Sequence, residues 1–164
     1  MARTWREGGT MKPVVTFDMS EVDGLVLAID EVSGPAMQET FNQLAELTRG
    51  EAVKAVQHGP ATGKVYQKYN PRRSHQASAD GEAPMSDTGL LASRIVVDVT
   101  SPSSVRRVND AKAETGSNLE YADLLENGTS KMAARPFMFP AFIKTEKYAI
   151  PLLRKALARR LRSK

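Results

Sequence analysis

Leu119-Glu-Tyr-Ala-Asp-Leu-Leu-Glu-Asn-Gly-Thr-Ser-Lys-Met-Ala-Ala-Arg-Pro-Phe-Met-Phe-Pro-Ala-Phe142 is the stretch on which the domain is expected to assemble. Leu119, Ala122 and Leu125 recur at helical spacing, with Tyr121 and Leu124 flanking them. Asn127-Gly128 supplies a stop, because glycine readily takes the left-handed conformation at a helix C-terminus. Thr129 and Ser130 open a loop, and Arg135-Pro136 begins a new helix at a position where the missing proline donor does no harm. Phe137, Phe139 and Phe142 follow within one and a half turns, and Pro140 stiffens the start. Glu126, Asn127, Gly128 and Thr129 are therefore held between two apolar anchors. Glu126 has two readings: a partner for Arg135 or for a cation on an adjoining subunit, or part of a loop fixed by its own hydrogen bonds. In the second, Gly128 is present for its backbone angle alone.

Upstream, residues 1–12 lack periodicity and carry Gly8-Gly9, which reads as a mobile arm. Trp5 within it docks on its own domain or on a neighbour, the sequence favouring neither. Residues 13–164 form one domain. Val15, Phe17 and Met19 alternate with Val14, Thr16 and Asp18, a strand pattern. Ser20 and Asp23 resemble a capping pattern for a helix with Val22, Leu25, Val26 and Ile29 on its apolar face. Gly34-Pro35 is expected to interrupt that helix. A second helix runs from about Pro35 to Gln57 on Met37, Phe41, Leu44 and Leu47 or Thr48, with a bend at Gly50, and ends at His58-Gly59-Pro60.

Residues 59–87 are the long irregular stretch, rich in glycine and proline, with a strand-like run at Val65–Tyr69. Such stretches inside a compact domain are usually functional or disordered. Arg72, Arg73, His75 and Gln76 make its tip polar and basic, so a protruding hairpin or arm that orders on contact is expected. Ser86 or Asp87 caps a short helix through Leu91. Ile95, Val97 and Val99 then alternate as a strand, Ser101-Pro102-Ser103 turns, and Val105–Ala111 reads as the antiparallel partner. Glu114–Asn118 reads as another turn. The last helix starts near Phe137 with an apolar stripe through Phe139, Phe142, Ile143, Ala149, Ile150, Leu153, Ala156 or Leu157, and Leu161, kinked near Lys147–Pro151. The fold class is α+β: a small antiparallel sheet packed by long helices from the N-terminal half and the C-terminus, with an extended central loop or hairpin.

With 164 residues, 41% hydrophobic and 6% aromatic, the chain suits one globular domain with extensions. It has no cysteine, which excludes disulfides and thiolate metal sites and suits assembly in a reducing cytoplasm. No apolar run nears the ~18 residues of a membrane span, so no membrane partner is expected. The first residues hold no apolar signal core, and secretion by that route is not expected. From Phe142 onward eight Lys or Arg face Glu146 alone, a balance of +7, so with a total of +4 the rest of the chain carries −3. The basic character belongs to the last helix. Arg154, Lys155, Arg159 and Arg160 are candidates for contact with DNA or an acidic partner, set against the ordinary reading of a solvated helix face.

Catalysis has thin support. His58 and His75 lack carboxylates at ligand spacing, and no metal or cofactor is expected. Asp80, Glu82 and Asp87 could be imagined as a hydrolytic set, but no apolar wall surrounds them to raise a pKa. Gly59-Pro60-Ala61-Thr62-Gly63-Lys64 fails as a phosphate loop, since the glycines are too close and Val65 follows the lysine. The chain is not expected to be an enzyme.

Tyr121-Ala122, Glu126, Gly128-Thr129, Ala134-Arg135-Pro136-Phe137 and Pro140-Ala141 resemble the head–tail joining, or tail-completion, neck family of tailed bacteriophages and prophages. A second block agrees in order: Gly63-Lys64-Val65-Tyr66, His75, Ala77-Ser78-Ala79, Gly81-Glu82-Ala83-Pro84, Asp87-Thr88-Gly89-Leu90 and Ser93. The likeness spans roughly residues 50–142, and Asp80 departs from it where the family has proline. The resemblance implies a virion structural protein in the neck, assembled in the host cytoplasm. It would act as a homo-oligomeric, sixfold ring between the portal-side connector and the tail tube or tail terminator, with packaged DNA a further candidate partner. Tyr66, Arg72, Arg73, His75, Glu82, Glu126, Thr129 and Arg135 would then meet subunits or partners. Gly128, Pro136, Phe137 and Pro140 would hold the subunit's shape. The alternative from another class is a sequence-independent DNA-binding protein that uses the basic C-terminal helix.

Overall fold

The computed structural model describes residues 33–105 and 107–162 in full and residues 14–16 and 30–32 as backbone. The arm with Trp5 and the helix expected from Ser20 lie outside the described residues. One long helix, α1 (Asp30–His58), is the spine. Met37, Phe41, Leu44, Ala45, Thr48, Ala52 and Val56 recur every three or four residues along it and are all buried. Gly34-Pro35 does not interrupt it, contrary to the sequence expectation. A proline in a helix costs about 3 kcal/mol. Here Ser33, Ala36 and Met37 are buried on either side of Pro35, and that packing holds the helix through the defect. Gly50 likewise sits within the unbroken run.

Two apolar clusters lie along α1. Phe41, Leu44, Val105, Ala113 and Phe142 centre the first, and Val56, Leu91, Ile95, Phe137 and Met138 the second. Among the described residues the sheet has strand order β1–β5–β4, where β1 is Val14–Thr16, β4 Ile95–Val99 and β5 Ala113–Ser117, all antiparallel. β4 lies where the alternation of Ile95, Val97 and Val99 puts it. Its partner does not. The described residues between 105 and 111 form no strand: tight turns at Pro102–Ser104 and Val108–Asp110 lie on either side of the buried Val105. The paired strand is β5, in the stretch that reads as a turn. Its Glu114, Thr115, Gly116 and Ser117 look like loop residues, yet β5 is the middle strand and is buried throughout. Its polar side chains are met: Thr115 Oγ1 donates to Ala45 O at 3.0 Å, and Lys112 Nζ lies 2.6 Å from Glu114. Just before β5, the buried Gln38 amide exchanges two hydrogen bonds with the Lys112 backbone, at 2.5 and 2.7 Å, and fixes α1 against the sheet.

Between α1 and β4 the chain forms a separate hairpin, β2 (Val65–Tyr69) and β3 (Arg72–Gln76), and a short helix, α2 (Leu90–Ser93). After β5 come α3 (Glu120–Asn127), α4 (Met138–Glu146) and α5 (Ala149–Arg162). The C-terminal helix is thus two helices, parted near the expected kink, and both pack along α1. Met138, Ala141, Phe142, Thr145 and Ala156 are buried there, and the Thr48 and Thr145 hydroxyls share a hydrogen bond of 2.8 Å. Phe139, Ile143, Ile150 and Leu161, expected in the apolar stripe, are exposed instead. The buried face of α4 is the one carrying Met138, Ala141, Phe142 and Thr145.

Candidate functional site

The stretch quoted at the outset folds into a corner closed by one carboxylate. Glu126, in the last turn of α3, is only 3% exposed. Its Oε2 accepts the backbone N–H groups of Phe137 at 2.8 Å and Met138 at 3.0 Å, and its Oε1 that of Phe139 at 2.9 Å. These are the donors that an α-helix leaves without an internal acceptor at its start. Phe137 is the cap residue of α4 and has no capping side chain, so Glu126 caps it from eleven residues away. A carboxylate there also meets the positive end of the helix dipole. All three bonds run within the chain, from the end of α3 to the start of α4.

Gly128 turns the chain out of α3 at φ 74° and donates to Leu124 O at 2.9 Å. A Cβ on it would lie 2.7 Å from both Ala134 N and Met132 O, so the position requires glycine for space as well as for angle. Thr129 and Met132 bridge across a tight turn, and Arg135 N donates to Leu125 O at 2.7 Å. Pro140 falls in the first turn of α4, where it removes no helical bond. Arg135 points its side chain at the central segment. Its Nη1 donates to the buried Ser78 Oγ at 3.3 Å, its Nη2 lies 3.9 Å from Asp80, and Gly81 N donates to Ala134 O at 3.1 Å. Asp80 is the exposed end of that contact.

The same segment anchors the hairpin. Glu82 accepts Thr62 Oγ1 at 2.7 Å, Ala79 N at 2.7 Å and Thr62 N at 3.1 Å, which closes the hairpin's base. The Thr62 hydroxyl first, and the Ala79 N–H next, hold its carboxyl below the usual range. Asp87 binds Lys68 of β2 and, at 2.7 Å, Arg73 of β3, with His75 Nδ1 at 3.7 Å. The hydrogen bond from Lys68, with the Arg73 charge behind it, lowers the Asp87 pKa against the effect of partial burial. Asp87 therefore pins both strands and does not cap α2. Ser86 Oγ takes the Gly89 N–H at 3.0 Å. An isolated two-stranded hairpin is marginal in water, and this one exposes Val65, Tyr66, Arg72 and Tyr69, the last at 83%. The Asp87 ion cluster and the Glu82 bonds are what hold it out.

Where hairpin, α2 and α3 meet, a cleft of about 320 Å³ is lined by Leu91, Leu125, Tyr121, Ser78, His75 and Arg135. The acid at its edge, Asp87, is committed to cations and is not poised as a base. Among the described residues no group of His, Asp and Glu could hold a metal, and no helix is long and apolar enough to cross a membrane. On α5, Arg159 and Arg160 turn to Glu39 of α1, the second at 3.9 Å, while Arg154 and Lys155 are exposed. Sequence reasoning singled out Glu126, Gly128 and Arg135; it named Ser78 without a role and missed Lys68 and the clamping role of Asp87. Nothing along the chain pairs residues nineteen apart, as Lys68 and Asp87 are. No family model, curated protein or solved structure matches the chain.

Proposed function

We propose that the chain is a structural subunit of a tailed-bacteriophage neck, joining head to tail as a ring between connector and tail tube. The observation that carries this reading is the meeting of the two stretches that resemble the neck family. Arg135 and Ala134 of the corner bind Ser78 and Gly81 of the central segment, next to the Glu82 and Asp87 contacts that hold a coreless hairpin outward. A subunit that works by assembly needs such a rigid body with an extension that finds its packing on another chain. In a closed ring each subunit offers unlike surfaces to its two neighbours. The test is to inactivate the chain in a phage that carries it and to image the lysate. Filled heads and finished tails left separate, and joined by adding the purified chain, are expected; normally joined particles without it would overturn the proposal.

The exposed Arg154 and Lys155 favour, as a second reading, a basic helix turned toward DNA. Contact there would be with phosphates and independent of sequence. Filter binding over a salt series tests it: no salt-sensitive retention of DNA would remove that version and leave the ring untouched.

A further inference from the structure

Where α4 passes into α5, a groove of about 380 Å³ opens against α1. Leu47, Tyr148 and Leu152 line it, and Leu47 is 42% exposed. Lys144 and Lys147 stand on its rim, the second with its ammonium 5.1 Å from the Tyr148 ring centre. Glu51, the acid on that rim, is engaged by Lys54 at 2.8 Å. The groove is thus apolar inside and positive at its edge.

α3 has the opposite character. Its sequence, Glu-Tyr-Ala-Asp-Leu-Leu-Glu-Asn, contains no cation. Ala122 and Glu126 face inward, Glu120 and Leu124 are exposed on the outward side, Leu124 at 48%, and Asp123 is half-buried at the flank, where its carboxylate accepts the Asn127 amide at 2.7 Å. Two acids therefore flank a leucine on the helix, and two lysines flank an apolar slot in the groove. One copy cannot join them to each other. Glu126 ties α3 to the N-terminal end of α4, whereas the groove lies at its C-terminal end, about 10 Å further along at the helical rise.

We propose that the outward face of α3 on one copy seats in the groove between α1, α4 and α5 of the next, Leu124 entering the slot between Lys144 and Lys147 while Glu120 and Asp123 meet those lysines. This deepens the ring reading and rests on it. Unlike surfaces joined in this way leave one free of each kind at either end of a chain of subunits, so the contact continues until rotation closes it.

Charge reversal tests the contact. Lys144→Glu with Lys147→Glu, and separately Glu120→Lys with Asp123→Lys, each place like charges face to face. Either is expected to weaken assembly by about 100-fold or more, read by size-exclusion chromatography with light scattering. An equimolar mixture of the two reversed chains is expected to assemble again, because in an alternating ring every groove then faces an α3 of opposite sign. The shape-preserving pair Glu120→Gln and Asp123→Asn, with thermal unfolding followed in parallel, is expected to weaken assembly without altering the fold. Wild-type-like assembly by the reversed chains would overturn the interface and leave the ring standing. So would dispersal without recovery on mixing in chains that unfold like wild type. A wild-type chain that never assembles would overturn the ring and this contact together.

Discussion

The Glu126 carboxylate accepts the backbone N–H of Phe137 at 2.8 Å, and through that bond the end of α3 fixes the start of α4. Two further donors, Met138 and Phe139, share the same carboxylate within a buried corner. Removing it by Glu126→Ala leaves three donors without this acceptor. Buried donors so stranded cost about 1–3 kcal/mol each when water cannot reach them, so a loss of about 2–4 kcal/mol is expected after relaxation. Urea unfolding measures it, and a change below about 0.5 kcal/mol, the range of ordinary surface substitutions, would contradict the capping role. Glu126→Gln keeps one oxygen but turns an amide toward the donors, and its loss should fall between the two.

Two glycines should respond in opposite directions. Gly128→Ala puts a methyl 2.7 Å from backbone atoms at a positive φ, and a loss of about 2 kcal/mol or more is expected. Gly50 sits inside α1 with nothing within 4 Å of its would-be Cβ, so Gly50→Ala should add about 0.5–1 kcal/mol. Paired thermal melts read both, and equal effects would contradict the assigned backbone roles.

Acid should release the hairpin before the spine. Asp87 and Glu82 have folded pKa values below their ordinary 3.8 and 4.5. Each is a carboxylate favoured ionised in the fold, so its contribution is fully present above the unfolded pKa and is lost as pH falls through the lower folded value. Amide exchange across Val65–Gln76 should therefore speed up, relative to α1, on acidification below about pH 4. Asp87→Asn should show the faster exchange already at neutral pH, with much of the acid response gone. Hairpin protection unchanged by either would contradict the Asp87 clamp.

What could be read along the chain was whatever depends on near neighbours. The Met37–Phe41–Leu44 repeat, the Gly128 stop, the alternation of Ile95, Val97 and Val99, and the break before Pro151 all involve residues within a turn or two of each other, and all lie where the pattern puts them. β5 was hidden because its Glu, Thr, Gly and Ser suit a strand only once partners on both sides and the Ala45 carbonyl receive them. Val105–Ala111 misled in the converse way, since its valines serve the core from turns. Pro35 obeyed tertiary packing over local preference. At the site, Glu126 and Arg135 drew notice as part of one short block around Gly128, while their partners, the α4 donors and Ser78, lie eleven to fifty-seven residues off, and no local pattern joins them.

Native mass spectrometry of the purified chain bears most directly on assembly as its mode of action. A closed species of six 17.9 kDa copies, seen as a ring by electron microscopy, is the expected result. A monomer at every concentration up to the solubility limit, with the hairpin protected from exchange as strongly as α1, would contradict it.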